Sequence, residues 1–552
     1  MSATANHWYE RDPKRLEWEL DEFARHSLPA AVSYDKQKRL VIETEVRFRD
    51  APVAIKVVYP HGYPDFAPTV SGAALILDRH QDPVGLTYCL LEDPSRDWHP
   101  GRSAGQLIGK NLRHLLKDTA AGQEAIRAGE AVMPEPESAF FLHDERAVVF
   151  VGARFLTNEL AAASGTMTIR PSARKVRVLV EAGGLGRLDD ELLARYPPTG
   201  GDRIGRWVSL WARPEAEDFP KKLLAAIAVA EPRIFDRLQR RLKRAKGLPE
   251  AGELVGLTFL EQGPTRDEQR RNWMFVEVVQ KRGYQPNLRR APYQAQALAP
   301  AERQRRLPEL AGLADALAVV IGAGSLGAPV AVELAKAGVA RIDILDCDDY
   351  DLNNTVRHVL PDDRAGEPKA EAVADYCRSL NPFIEVAGHD LCLGDSEEAA
   401  ALLDELFTAA SVVVDTTGAA TVARYVARVA RAAGVPFVVA GLTAASYGGD
   451  IFLLEPAGAC LDCFLLAQGD GRLPQPPAGE RSVETPIGCR HPAFAGAGFE
   501  ATELAAITAR MAIRASGRTN YAPSDSNWVV IDFRGQPHYQ EGRLEPDADC
   551  SH

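Results

Sequence analysis

The chain lacks any run of about 18 unbroken apolar residues, the length a membrane-crossing helix needs. Its first stretch, MSATANHWYERDPKR, lacks the apolar core of a secretory leader. It also lacks an excess of basic charge, with 64 Lys and Arg against 76 Asp and Glu and a formal net charge of −12. A polyanionic partner would want a basic face, so nothing in this balance favours direct binding to nucleic acid or to an anionic membrane. With no leader and no span, a cytoplasmic and reducing location is expected. There the eight cysteines, Cys89, Cys347, Cys377, Cys392, Cys460, Cys463, Cys489 and Cys550, are expected to be thiols, catalysts or metal ligands and not disulfides. What is present is ordinary for globular protein: 46% apolar and 25% charged residues in 552 positions, enough for several domains.

The most informative stretch is 317–358. An apolar run, Leu317 to Ile321, reads as a buried parallel strand, and Gly322-Ala-Gly324-Ser-Leu-Gly327 follows at once. An Ala-rich helix comes next, then a strand ending in an acidic cluster. Glycines at a strand-to-helix turn let backbone N–H groups approach a phosphate, and the helix N-terminus adds positive potential. Asp346, 19 residues past Gly327, stands where a carboxylate can bond ribose hydroxyls. These parts point to a nucleotide without naming it, since an NAD-dependent oxidoreductase uses them too.

Near the N-terminus, KRLEWELDEFARH has helical spacing. AAVSYD, KRLVIETEVRFR and PVAIKVVYP alternate as a short antiparallel meander. YPHGYPDFAPTV, with Pro60, Pro64 and Pro68, reads as an extended surface crossing. A helix is expected from about Ala104 to Lys117. This order, together with a His before a Gly-x-x-x-Cys and Trp98-His99-Pro100, resembles a ubiquitin-conjugating enzyme over residues 10–125. The resemblance implies that Cys89 carries a thioester. The family's His-Pro-Asn is His80-Gln81-Asp82 here, and Asp82 as a carboxylate cannot donate to an oxyanion as the family Asn does.

Residues 131–300 show strand patterns such as GRWVSLWAR, LVGLTFLEQ and NWMFVEVVQKRG. A helical stretch, 218–247, carries a basic face that reads as solvated. No catalytic constellation stands out in this segment. Residues 287–311 read as a connection into the nucleotide domain, with Arg303, Arg305 and Arg306 as solvated charges more readily than triphosphate ligands.

Beyond Asp346 come Asp348, Asn354, Arg357, Lys369 and Asn381-Pro382. This D-x-D, N-x-x-R, G-x-x-K, N-P series resembles the ThiF-type adenylation domain shared by ubiquitin-activating enzymes and the sulfur-carrier activators of thiamin and molybdopterin synthesis. The extra amide and cationic groups suit a triphosphate better than a dinucleotide, and Asp348 suits Mg²⁺. The resemblance implies that Asp346 binds ribose and that Asn354, Arg357 and Lys369 hold phosphates. The family's Gln after the Arg is His358 here. Its later Asp-x-x-Asp-Asn is Asp415-Thr416-Thr417-Gly418-Ala419, which leaves Asp415 as a second Mg²⁺ candidate. Cys460-x-x-Cys463 matches the first half of a Cys₄ zinc site, but no second C-x-x-C follows, so zinc is disfavoured. Cys489 stands where thioester-forming relatives carry a cysteine, before a Gly-rich entry to a long helix, and Arg490 and His491 would favour its thiolate.

The expected architecture is multidomain α/β. It comprises an α+β conjugating-like domain over 1–130, an α/β or α+β spacer over 131–300 and a doubly wound Rossmann-like adenylation domain over 301–552. The layout is similar to the fused activating–conjugating enzyme of bacterial antiphage CBASS operons. It implies ATP-dependent adenylation of a protein C-terminus, capture on Cys489, transfer to Cys89 and conjugation to a target lysine. The donor would be a cGAS-like nucleotidyltransferase or a ubiquitin-like protein, and the enzyme a homodimer. A sulfur-carrier activator with an appended binding domain, an NAD-dependent oxidoreductase and a silent scaffold are the alternatives.

Overall fold

The computed structural model describes residues 7–48, 51–73, 77, 80–82, 86–117, 147–152, 163–171, 176–179, 203–211, 219–243, 253–262, 269–279, 287–291, 294–298, 300–394, 396–479, 496–521, 523–548 and 550. The chain divides into two units, Met1–Leu298 and Ala299–His552. Among the described residues no helix is long and apolar enough to cross a membrane.

In the first unit the helix Pro13–Arg25 starts on Asp12, whose side chain accepts the Arg15 N–H, with Pro13 at the first helical position. Four strands follow: β1 (Ala31–Tyr34), β2 (Leu40–Phe48), β3 (Ala51–Val58) and β4 (Thr69–Ser71). They pair antiparallel in that order. Alternation along β2 and β3 turns Ile42, Val46, Ile55 and Val57 onto Phe23 of the helix. The helical stretch after Ser103 begins as an α turn, Ala104–Gln106, and continues as a π-helix, Leu107–Leu112. A Cβ at Gly105 would lie 2.8 Å from the Phe23 backbone nitrogen, so the two helical segments touch backbone to backbone.

The proline-rich crossing lies at the surface, with Phe66 68% exposed, but it is a run of turns and not the extended chain expected: the Tyr63 N–H donates to Pro60 O at 3.1 Å and the Phe66 N–H to Gly62 O at 3.2 Å. Tyr59 and Tyr63 are buried, and both hydroxyls donate to Glu19, itself buried on the first helix. Arg15 joins the cluster through Glu19, Tyr63 and the carbonyl of Arg102. The two tyrosines turn inward from this surface segment because they satisfy a buried carboxylate.

The middle sheet of this unit contains β5 (Ala147–Gly152), β6 (Ser164–Pro171), β7 (Val176–Leu179), β8 (Arg203–Ser209), β9 (Glu253–Gln262), β10 (Gln269–Val279), β11 (Asn287–Ala291) and β12 (Gln294–Leu298). Its order is β11-β10-β9-β8-β6-β7-β5-β12. Helices Phe219–Ala230 and Pro232–Lys243 pack Leu223, Ile227, Ile234 and Leu238 onto it. Residues 287–298, expected as a connection, form its two outermost strands.

The second unit is a sheet of β13 (Leu317–Ile321), β14 (Arg341–Asp346), β15 (Glu385–Asp390), β16 (Val412–Asp415), β17 (Phe437–Leu442), β18 (Gly448–Leu454), β19 (Trp528–Asp532) and β20 (His538–Gly542). The order is β15-β14-β13-β16-β17-β18-β19-β20, parallel through β17 and antiparallel beyond it. One face packs on helices Gly327–Ala337, Lys369–Leu380 and Gly498–Ala515. The other packs on Glu397–Ala409, Ala420–Ala433 and Leu461–Gly469. Strand order reverses between β13 and β16, which opens a crevice at their carboxyl ends.

Candidate functional site

The three glycines after β13 have three different reasons to be glycine. Gly322 has φ +89° and donates its N–H to Leu345 O at 2.8 Å, turning the chain back against β14. At Gly327 a Cβ would lie 1.9 Å from the Gly322 carbonyl oxygen and 2.3 Å from Thr416 Oγ1, so this residue lets the helix sit down on the turn. At Gly324 a Cβ would meet nothing within 4 Å. That open space is where a phosphate could approach the backbone.

Around it stand most of the residues expected from the sequence. Asp346 Oδ2 accepts the Ala323 N–H at 2.6 Å and Oδ1 accepts the Asp348 N–H at 2.8 Å. Burial raises the Asp346 pKa against the pull of these bonds. Lys369, its side chain 12% exposed, holds an ion pair of 2.8 Å with Asp348 at the N-terminus of its helix. Asn354 lies in a 3-10 turn, Leu352–Val356, and its Oδ1 faces the Asp351 N–H at 3.4 Å. Arg357 closes that turn, its N–H on Asn354 O at 3.0 Å. Asp415 ends β16, and both its bonds, to the N–H and hydroxyl of Thr417, fall on Oδ1. Burial raises its pKa as well. Asn381 is structural, its amide donating to Ala335 O at 2.8 Å. Arg303 donates to Leu380 O at 2.7 Å and Arg305 faces Glu302 at 3.8 Å, in keeping with structural charges.

His358 and Thr416 belong to the site in ways the motif does not announce. His358 Nδ1 accepts the Leu360 N–H at 3.2 Å, so its Nε2 carries the proton and donates to Ala323 O at 2.7 Å. Burial lowers its pKa and keeps the ring neutral. The ring therefore braces the glycine turn. Thr416 Oγ1 lies 3.0 and 3.1 Å from the carbonyls of Ile321 and Gly322 and ties β16 to the same turn.

One expectation fails here. Cys347 and Cys392 form a disulfide, with Cα atoms 5.0 Å apart. Parallel pairing of Asp346 with Asp390 brings the chain just past β14 beside the chain just past β15, a proximity that composition cannot show.

A ThiF-family model matches residues 299–518. Those residues form an E1-like adenylation domain of the ThiF family. Nearly the whole chain is similar to the uncharacterized protein y4oA of Sinorhizobium fredii, at 25% identity, covering 99% of this chain and 97% of that one. Shorter stretches are similar to two others. The SAMP-activating enzyme E1 of Haloferax volcanii is 33% identical over 26% of this chain and 52% of its own. The adenylyltransferase and sulfurtransferase UBA4 of Kluyveromyces lactis is 33% identical over 30% of this chain and 35% of its own.

The ThiF-family domain and the strands after it also gather thiols. Cys460 Sγ lies 3.6 Å from Cys463 Sγ and 3.4 Å from Cys550 Sγ. Their ligand atoms all fall within 4.8 Å of one another. Arg472, paired with Asp547 at 2.6 Å, fastens the C-terminal segment that carries Cys550. Burial would raise the Cys463 pKa, but the Asp547 N–H and the neighbouring sulfurs hold it below the ordinary thiol value. Hydrogen bonding to Cys460 pushes Cys550 up to about 12. The sequence, with no second C-x-x-C, disfavours zinc. The structure supplies a third sulfur from elsewhere, and three close thiols suit a soft divalent metal. Cys489, Arg490 and His491 lie outside the described residues. The helix that follows them starts at Gly498, where a Cβ would fall 3.0 Å from Arg357 Cα.

In the first unit Cys89 is exposed, and its N–H donates to His80 O at 2.8 Å. Gln81 bridges Tyr88 across a short antiparallel pair. Its buried amide accepts from Leu77 N–H at 2.7 Å and donates to Gly72 O at 3.0 Å. The Asp82 N–H donates to Thr87 O at 2.8 Å. The tripeptide thus lies alongside the cysteine, with Gln81 as its internal brace.

Proposed function

We propose that the chain activates the C-terminal carboxylate of a protein with ATP and relays the acyl group through Cys489 and Cys89 to a lysine. The single observation that carries this reading is the open space at Gly324, ringed at the switch point by Asp346, Lys369 and Asp415. Phosphates bind against the Gly324 turn, Asp346 takes the ribose, and Lys369 leaves Asp348 for the triphosphate. Asp348 and the unused Oδ2 of Asp415 would hold Mg²⁺, which neutralises phosphate charge when bound. The substrate carboxylate attacks the α-phosphorus and pyrophosphate leaves, with Arg357 and Lys369 stabilising the charge. The Cys489 thiolate then attacks the acyl-adenylate and AMP leaves. Cys89 takes the acyl group by thioester exchange, and an amine finally displaces the Cys89 thiolate to form an amide.

The exposed Cys89 beside His80, behind an antiparallel meander and between helices, supports a conjugating role for the N-terminal residues. Leu352, Val356 and Phe499 are 58%, 75% and 74% exposed on two segments that meet where Gly498 lies against Val356 and Arg357, apolar exposure that supports a homodimer. A structural zinc on Cys460, Cys463 and Cys550 goes with the same reading. The donor is a cGAS-like nucleotidyltransferase or a ubiquitin-like protein, and the setting is cytoplasmic antiphage defence of the CBASS kind or ubiquitin-like conjugation.

The test is to incubate the full chain with candidate donors, ATP and Mg²⁺ and to resolve adducts on non-reducing gels. Thiol-labile adducts should form only with nucleotide. Cys489→Ala should abolish them all, and Cys89→Ala should leave one, on Cys489. Normal conjugation by both variants would end the relay assignment.

A further inference from the structure

Cys347 stands between Asp346 and Asp348, the two carboxylates given above to ribose and Mg²⁺. Its disulfide partner, Cys392, lies two residues past β15. Both cysteines are exposed. β15 is the outer strand of its sheet, so the bond fastens a sheet edge to the loop that presents the nucleotide carboxylates. The other ties on residues 346–348 are noncovalent: Asp346 pairs with Asp390 in the sheet and its carboxylate accepts the Ala323 N–H at 2.6 Å. The Asp348 N–H rests on Asp346, the Lys369 N–H donates to Asp348 O at 2.9 Å, and the Lys369 ammonium pairs with the Asp348 carboxylate. The ion pair must open when Lys369 turns to a phosphate. At that moment the disulfide is the covalent tie that still holds residues 346–348 to the edge of the sheet.

Resting on the nucleotide reading above, we propose that Cys347–Cys392 is a thiol–disulfide exchange site through which an external dithiol lowers the affinity for ATP. An exposed disulfide is open to attack, and in a reducing compartment such bonds are characteristically transient. A thiolate of the dithiol attacks one sulfur and displaces the other as a thiolate. The second thiol of the reagent then attacks the mixed disulfide. The dithiol ends as its own disulfide, and its two protons end on Cys347 and Cys392. Oxidised glutathione reverses the change, leaving two molecules of reduced glutathione. Reduction frees the chain past β14 from the chain past β15, and Asp348 is then held by its noncovalent bonds to Asp346 and Lys369.

The experiment uses the full chain with dithiothreitol as the dithiol. Mass spectrometry after alkylation reports the state of Cys347 and Cys392. Titration with a fluorescent ATP analogue reports affinity, and hydrogen exchange reports the order of residues 346–350. The expected result is reduction in the folded protein and at least about a fivefold loss of affinity, the lower end of ordinary coupling between sites. Exchange over 346–350 should rise, and all three changes should reverse with oxidised glutathione. The double variant Cys347→Ser, Cys392→Ser should sit in the low-affinity state and respond to neither reagent. Equal affinity in the two states, or a bond that resists dithiothreitol until the protein unfolds, overturns the proposal. If neither state binds ATP, the nucleotide reading fails and the control of ATP affinity is overturned with it, whereas equal and measurable affinity in both states overturns this proposal alone.

Discussion

In the proposed reaction, Lys369 is the residue on which the chemistry of the nucleotide site turns. Its ammonium is mostly covered and already paired with Asp348, so it is held close to the glycine turn before any phosphate arrives. A charge held in place needs little rearrangement when charge develops on the reacting phosphorus. Lys369→Ala should therefore lower ATP–pyrophosphate exchange by about 100-fold or more, the ordinary cost of losing one such group. Exchange within about threefold of the parent would remove Lys369 from the role. The glycines offer a sharper contrast. Gly324→Ala places a methyl in open space, so thermal unfolding should be unchanged while ATP affinity falls. Gly327→Ala drives a methyl into the Gly322 carbonyl and should lower the melting temperature before any ligand is added. If both variants melt like the parent, or both bind ATP like it, the division of labour among the glycines is wrong.

Elements that a local motif defines were legible in the sequence, and those set by distant pairing were not. The β13–glycine–helix unit reads directly because its periodicity and its turn residues are contiguous. The Cys347–Cys392 bond depends on two strands being parallel neighbours 45 residues apart, which spacing alone does not reveal. Cys550 joins Cys460 and Cys463 through a C-terminal segment in which Arg472 pairs with Asp547 and the Asp547 N–H meets Cys463 Sγ at 3.4 Å. Tyr59 and Tyr63 were hidden by the prolines around them, which signal extended chain but not which way a side chain turns. The thiol cluster gives a direct measurement: elemental analysis of protein purified without chelator should find about one zinc per chain, and Cys550→Ser should lose it. A metal-free parent would leave the cluster as three thiols.

A second prediction at this scale concerns β18. Burial pushes the Asp450 carboxyl up to about 6, against an opposing bond from the Gln468 amide at 3.1 Å. The folded state thus prefers the proton more than the unfolded chain, where an Asp titrates near 3.9. The resulting stability is full below about pH 4 and is lost as pH rises through about 6. Asp450→Asn stays neutral, so it should match the parent near pH 4 and be more stable by about 1–3 kcal/mol above pH 7. Denaturant midpoints at the two pH values decide it. A difference that does not change with pH would mean that the carboxyl does not titrate in this range.

At the scale of the whole molecule, the apolar clusters divide with the chain. Both cores of the second unit are drawn from residues between Leu310 and Cys550, and the first unit has its own around Phe23 and around Leu257. Among the described residues each of these clusters is drawn from one unit. A unit with a self-contained core can fold alone. The glycine turn, Asp346, Lys369 and Asp415 all belong to the second unit, whereas Cys89 belongs to the first. The two halves of the proposed reaction therefore separate at Leu298. A fragment of residues 299–552 should fold with a cooperative transition, bind ATP and carry donor-dependent pyrophosphate exchange at a rate within about threefold of the full chain. It should form the adduct on Cys489 and stop there, with no transfer to lysine. Exchange that vanishes from a well-folded fragment would show that the first unit contributes to adenylation itself, and conjugation by the fragment would show that Cys89 is not on the path.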